Sequence, residues 1–321
     1  MHKKIKTVLV TGGAGFIGSN LTDSLLAEND YEVICLDNFN DFYDPDQKHR
    51  NIEAAKKNPR FKLLEGDICN SDFLKNNLPP DIDIIVHIAA RAGVRPSILN
   101  PHLYADTNVF GTINLLEFAR ENNIRQFVFS SSSSVYGINP NFPWAESDHV
   151  LDPISPYAAT KVACELLGHT YSYLYNIRFI ALRFFTVFGP RQRPDLAIYK
   201  FYKNIMEDKP IPFFGDGSTS RDYTFVDDIV KGIKAAMQYD KSNYEIINLG
   251  NNHSITLTEL LKAIEKVAGK KAILEKLPAQ PGDVPHTFAN IEKAKRLLGY
   301  NPSTDINSGI EAFRKWYAQN T

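Results

Sequence analysis

The chain has 321 residues, 43% apolar and 23% charged, a balance that fits a globular main domain with a smaller appendage. Its formal net charge of −1 gives the surface no general pull toward nucleic acid or an anionic membrane. Any anionic ligand must therefore meet local positive charge.

From the N-terminus, the basic start Met1-His2-Lys3-Lys4-Ile5-Lys6 leads only into Val8-Leu9-Val10 before Thr11-Gly12-Gly13. A secretory core needs roughly 7–15 apolar residues, and no later stretch approaches the ~18 of a membrane span. The first 185 residues alternate short β-branched runs with longer helical patterns. Strands are predicted at 7–10, 32–36, 61–64, 82–87, 126–129 and 179–183, with helices including 16–27, 100–121 and 156–175. Continuous apolar strands alternating with helices predict an α/β fold: a doubly wound parallel sheet of the Rossmann kind, joined by right-handed crossovers. Residues 1–185 form the expected dinucleotide-binding domain. After Arg183 proline and glycine become frequent, which predicts a smaller α/β substrate-binding lobe over 186–321, with segments near 224–250 returning to the main sheet. Cys35, Cys69 and Cys164 are widely spaced and odd in number, and read as reduced core thiols of a cytoplasmic protein. The eight histidines lack paired ligand spacing, so no metal site is expected; His87 is read as the end of a buried strand.

Gly13-Ala14-Gly15-Phe16-Ile17-Gly18 matches G-x-G-x-x-G, and Gly12, Gly15 and Gly18 give the G-x-x-G-x-x-G register. A β-run precedes the motif and an amphipathic helix follows it. Glycines there permit a tight turn, close approach of backbone N–H groups to a pyrophosphate, and close helix–strand packing. Asp37 ends the second strand at the spacing of a ribose-binding acid. A carboxylate there accepts from both ribose hydroxyls and repels a 2′-phosphate, which favours NAD over NADP. Lys48 and Arg50 follow closely enough to keep NADP in view. Asp67 ends the third strand where an adenine would lie, and Ala89-Ala90 are small where a cofactor passes. Phe16, Ile17, Asn38 and Ile68 complete the candidate cofactor contacts.

Ser155 can cap a helix with Pro156 at its first position, which puts Tyr157 in the first turn and Lys161 on the same face. That spacing suits a lysine that holds ribose hydroxyls and lends positive charge to the phenol. Lowering a phenol from its usual pKa of about 10 to near 7 takes roughly 4 kcal/mol. Lysine and an oxidised nicotinamide are the expected sources. Ser130-Ser131-Ser132-Ser133-Ser134 follows the fifth strand at the carboxyl edge of the sheet, where hydroxyls can donate to a substrate alcohol or its carbonyl product.

These motifs, with Asn108-Val109-Phe110-Gly111-Thr112, Val135-Tyr136-Gly137 and Arg221-Asp222-Tyr223, resemble extended short-chain dehydrogenases/reductases of the nucleotide-sugar epimerase and dehydratase group. The resemblance runs from about residue 5 to 315. It implies a catalytic Ser132, a base at Tyr157 assisted by Lys161, and Asn108 among the cofactor residues. It also implies transfer of a C4 hydride to NAD, and a homodimer formed through a bundle of helices 100–121 and 156–175. Related dehydratases carry an Asp-Glu pair after the catalytic Ser/Thr, and decarboxylases a glutamate two residues after it. Here Ser133 and Ser134 occupy those positions. With no carboxylate to move a C5 or C6 proton, the expected outcome is rotation of the 4-keto sugar and hydride return to its other face.

Arg183-Phe184-Phe185-Thr186-Val187-Phe188-Gly189-Pro190-Arg191-Gln192-Arg193-Pro194-Asp195 and Arg91-Ala92-Gly93-Val94-Arg95-Pro96 are similar to UDP-glucuronate 4-epimerases. The substrate set expected from this likeness is Arg95, Ser132, Ser133, Ser134, Thr186, Arg193, Arg221 and Asp283. In it, Ser133, Ser134 and Thr186 hold a C6 carboxylate, Arg193 and Arg221 the diphosphate, and Asp283 the uridine ribose. The competing readings are a UDP-glucose/UDP-galactose 4-epimerase, a UDP-glucuronate decarboxylase, and an inactive NAD-responsive binding module. The last commonly lacks the tyrosine or lysine that this chain retains.

Overall fold

The computed structural model describes residues 5–278 and 284–320. Six strands form up to residue 184: β1 Lys6–Thr11, β2 Tyr31–Asp37, β3 Phe61–Glu65, β4 Ile84–His87, β5 Gln126–Ser132 and β6 Arg178–Phe184. Six more follow: β7 Thr186–Phe188, β8 Pro210–Phe214, β9 Ser220–Phe225, β10 Tyr244–Leu249, β11 Ser254–Thr256 and β12 Ile273–Leu277. Seven make one parallel sheet in the order β10-β6-β5-β4-β1-β2-β3. The chain runs outward from β1 to β3, then resumes on the other side at β4. That reversal opens a crevice between the carboxyl ends of β1 and β4.

The strands are apolar because both faces of the sheet are covered. Val8 and Val10 pack into one core with Leu182, Ile229 and Ile233. Leu9, between them, points to the other core with Ile85, Leu115, Phe127 and Phe179. The Phe127 and Phe179 rings stack at 5.3 Å.

The Pro156–Tyr175 helix forms as its sequence signals require. The Ser155 side chain accepts from the Ala158 N–H at 3.2 Å, Pro156 opens the first turn, and Asn176 closes the helix in the left-handed region at φ 55°. The stretch expected as one helix over 100–121 is instead three pieces: Pro101–Tyr104, a π-helical turn at Ala105–Phe110, and Gly111–Glu121. In the π turn the Asn108 carbonyl accepts from the Thr112 hydroxyl and, at 3.1 Å, from the Cys164 thiol. Such widened turns accompany functional sites more often than chance.

Beyond β6 the chain builds a three-stranded sheet, β11-β9-β7, and a parallel pair, β12-β8, while β10 completes the main sheet beside β6. Tyr199, Tyr202, Phe313 and Tyr317 pack edge to face between the Ala197–Met206 and Ile306–Asn320 helices. Among the described residues no helix is long and apolar enough to cross a membrane. Cys35 and Cys164 are buried thiols, but Cys69 is exposed, because it follows β3 in the turn to the Ser71–Asn77 helix rather than lying in a strand. His87 does end a buried strand, its ring held between the Thr11 and Thr112 hydroxyls at 2.8 and 3.0 Å.

Candidate active site

The turn after β1 needs its glycines for different reasons. Gly12 has φ +68°, and a β-carbon there would lie 2.8 Å from the Ala89 nitrogen on β4's exit. A β-carbon on Gly18 would lie 2.1 Å from the Gly12 carbonyl oxygen, so the Phe16–Leu26 helix can seat against the turn only through glycine. Gly15 caps that helix in an extended conformation with no side-chain bond, and Gly15, Phe16, Ile17 and Gly18 all line a cavity of about 450 Å³. Amides at a helix start without a side-chain cap favour an anion. The cradle therefore fits a dinucleotide pyrophosphate.

Asp37, at the end of β2, is buried. Its carboxylate accepts from the Ala14 N–H at 3.2 Å and the Phe39 N–H at 2.9 Å, tying it to the glycine turn. Burial raises its pKa against the lowering pull of Lys48 and those two amides. Lys48 is itself buried on the cavity wall and donates to the Asn40 carbonyl at 2.7 Å, whereas Arg50 lies outside with Asp44 at 3.7 Å. Asn38 donates to Asp67 at 2.8 Å. Burial works against the Asp67 charge, but the Cys69 and Asn38 bonds and the Arg91 charge leave its pKa below the usual range. Ile68, Ala89 and Ala90 complete this end of the cavity.

At the far end Tyr157 and Lys161 project from the Pro156–Tyr175 helix beside Ser132, the last residue of β5. Lys161 is buried, donates to the Ser130 carbonyl at 2.7 Å, and lies 4.7 Å from the Phe129 ring centroid and 5.9 Å from that of Tyr157. Burial lowers its pKa to about 8, against the opposing pull of Cys164 and Glu165. Burial raises the Tyr157 phenol, and the groups that draw it back down are the Ser132 hydroxyl and the Arg193 guanidinium. Lys161 thus lies beside the Tyr157 ring with its amine donating to a backbone carbonyl, and the Arg193 charge also acts on the phenol.

Ser133, Ser134, Thr186 and Arg193 line the same cavity. The Ser132 and Ser134 hydroxyls are 3.1 Å apart, and Arg193 grips Asp195 through two bonds of 2.9 Å. Not every expected site residue converges. Asn108 lies behind the wall, its amide joining the Arg91 backbone to the Thr160 hydroxyl at 3.0 Å. Arg95 is exposed with its guanidinium 5.7 Å from the Phe214 ring centroid, because the cavity wall passes through Arg91 to Val94 and then turns into the Val94–Leu99 helix. Arg221 bonds the Ser220 and Pro285 carbonyls and does not line the cavity. Asp283 falls outside the described residues. Tyr43 is on the wall without having been expected there, and Arg91 and Lys48, named in the sequence only within a motif and as a sign of NADP, also line it. Arg91 directly follows the Ala89-Ala90 strand exit. Tyr43 precedes the Pro45–Asn51 helix and Lys48 lies in it, and neither belongs to a motif.

With this geometry in place, a profile described as GDP-mannose 4,6 dehydratase matches residues 9–313. The chain belongs to this family, among the extended short-chain dehydrogenases/reductases. It is 42% identical over 315 residues to a UDP-glucuronate 4-epimerase of Thermodesulfobacterium geofontis, covering 97% of this chain and 96% of the relative. It superposes on the UDP-glucuronic acid 4-epimerase of Bacillus cereus, solved with UDP-glucuronic acid and NAD, with a TM-score of 0.92. That match has 37% identity and covers 98% of this chain and 100% of the other. The UDP-glucose 4-epimerase of Thermotoga maritima, solved with UDP-glucose, gives a TM-score of 0.87 at 30% identity, covering 98% and 99%. Family members of this shape thus act on both acidic and neutral sugars.

Proposed function

We propose that the chain is an NAD-dependent UDP-glucuronate 4-epimerase, interconverting UDP-glucuronate and UDP-galacturonate. One observation carries the choice of reaction. Among the described residues that line the cavity, the carboxylates are Asp37 and Asp67, both at the cofactor end, while the sugar end offers the hydroxyls of Ser132, Ser133, Ser134 and Thr186. Dehydration or proton removal at C5 calls for an acid or base there, and epimerisation does not.

Tyr157 accepts the O4 proton while the Ser132 hydroxyl steadies the same oxygen. NAD held by the glycine turn and Asp37 would supply the hydride chemistry at C4. Lys161 holds the nicotinamide ribose, and Asp37 the adenosine ribose with Asn38, Asp67 and Ile68 around the adenine. Arg193 meets the substrate diphosphate as a forked donor. Ser133, Ser134 and Thr186 hold the C6 carboxylate through neutral hydroxyls. The 4-keto sugar is a β-keto acid, which loses carbon dioxide fastest when the breaking C–C bond lies parallel to the carbonyl π system. Pinning the carboxylate keeps that bond out of alignment while the ring turns.

Product identification after incubation with UDP-glucuronate, and separately UDP-glucose, tests this reading. Turnover of UDP-glucuronate to its C4 epimer is expected; conversion of UDP-glucose alone would replace it with the neutral-sugar epimerase. Thr186→Val should raise the share of pentose or 4-keto-pentose product, and an unchanged ratio would remove the pinning role.

A homodimer is part of the proposal. Leu166, Tyr173 and Leu174 are exposed on one face of the Pro156–Tyr175 helix, and Leu99, Leu103 and Phe110 are exposed on the segments that pack against that helix. An apolar stripe of this kind fits a helix-bundle partner. The free thiols of Cys35, Cys69 and Cys164 suit a reducing, cytoplasmic setting.

A further inference from the structure

Tyr43 sits on the cavity wall in the segment between β2 and the Pro45–Asn51 helix. Its ring is anchored independently of its hydroxyl. The Lys48 ammonium lies 5.0 Å from the ring centroid and is fixed by its bond to the Asn40 carbonyl. The hydroxyl itself is buried and has no hydrogen-bond partner among the described residues. Buried phenol hydroxyls ordinarily find a partner, because an unmade bond there is costly. Asp44, the next residue, caps the following helix through the Asp46 N–H at 3.0 Å, so the loop is built to hold this position.

The surroundings define what the hydroxyl awaits. Its oxygen is 3.9 Å from where a side chain on Gly15 would begin, so it overhangs the glycine turn. The Arg193 guanidinium, paired with Asp195, is 5.4 Å from the ring centroid of neighbouring Phe42, close enough for its charge to act on the Tyr43 phenol. Burial and the Asp37 carboxylate hold the phenol's proton in place, with Arg193 opposing, so at neutral pH the group is a donor. A donor between open backbone amides and a guanidinium matches an oxyanion.

We propose that Tyr43 is a binding residue whose hydroxyl donates to a diphosphate oxygen lodged between the glycine turn and Arg193. The assignment rests on the dinucleotide and nucleotide-sugar reading above. Both ligands carry a diphosphate, one in the cofactor and one in the substrate, and Tyr43 stands beside the glycine turn that would take the first and near Arg193, which would take the second.

The test is Tyr43→Phe in the full chain, with NAD and UDP as separate probes by titration and thermal shift. The phenylalanine keeps the ring under Lys48 and removes only the unpaired oxygen. Loss of a bond to a charged group predicts roughly tenfold weaker binding. Weakening confined to NAD assigns the bond to the cofactor pyrophosphate; weakening confined to UDP assigns it to the sugar nucleotide. Without nucleotide the variant should melt at the same temperature as wild type or higher. A lower melting temperature would mark the hydroxyl as a structural bond and overturn the proposal, as would unchanged affinity for both probes. A wild type that binds both, beside a variant that binds them equally, defeats this assignment alone. A wild type that binds neither defeats the functional reading with it.

Discussion

The chemistry at residue scale turns on two groups whose environments push them in opposite directions. Burial raises the Tyr157 phenol and lowers the Lys161 ammonium to about 8. Because folding lowers the Lys161 pKa, the folded chain releases that proton before the unfolded chain does. Its contribution to stability therefore rises with pH from about 8 toward the ordinary 10.5, as the cost of a buried charge fades. Activity should run the other way, since a neutral amine no longer supplies a cation to the site. A descending limb of kcat/KM near pH 8 is expected, and Lys161→Arg should move it upward because a guanidinium stays charged throughout. Identical limbs in both enzymes would assign the titration to another group. The sequence was enough to name Tyr157, Lys161 and the hydroxyl cluster, because helix spacing and strand-end position fix them locally. It did not reveal that the Arg193 charge also acts on the phenol, since that depends on how residues far apart in the chain meet.

At the scale of elements, the catalytic helix is registered to the sheet by a buried triad. Glu165 accepts from the Ser131 hydroxyl at 2.5 Å on β5 and from Arg183 at 2.8 and 3.0 Å on β6. Arg183 is 1% exposed and Glu165 2%. Removing one partner strands the other, so Arg183→Met should destabilise the fold by about 3–5 kcal/mol. Adding Glu165→Leu should recover most of that loss in chemical denaturation; a double variant as weak as the single one would mean that packing, not charge, is at stake. Arg183 was read from sequence as the end of the 179–183 strand and the start of a substrate motif. Its partner lies 18 residues earlier on a different element, and no local pattern pairs them. The helix expected over 100–121 failed for a similar reason. Its periodicity is helical, yet the Asn108 carbonyl is drawn to Thr112 and Cys164, and the ladder widens to a π turn.

Across the whole molecule, the proposed homodimer rests on an exposed apolar face. Leu166 is 64% exposed, Tyr173 81% and Phe110 58%, a large cost unless a partner covers them. Leu166→Glu should shift the chain toward monomer in light scattering coupled to size exclusion, with NAD binding retained. A wild type already monomeric at micromolar concentration would dismiss the bundle.

Motif spacing, strand-end chemistry and hydrophobic period were sufficient by themselves to indicate a parallel doubly wound sheet, a glycine turn with Asp37 beside it, and a Tyr157/Lys161 pair on one helix face. All of these depend on residues near one another in the chain, where geometry follows from backbone repeat. Tertiary structure alone decided which arginines reach the cavity, admitting Arg91 and Arg193 and leaving Arg95 and Arg221 outside. It also brought Tyr43 and Lys48, from the motif-free segment around the Pro45–Asn51 helix, onto the wall. A long side chain's destination depends on the path of the backbone around it, and that path is set by packing between segments a hundred or more residues apart.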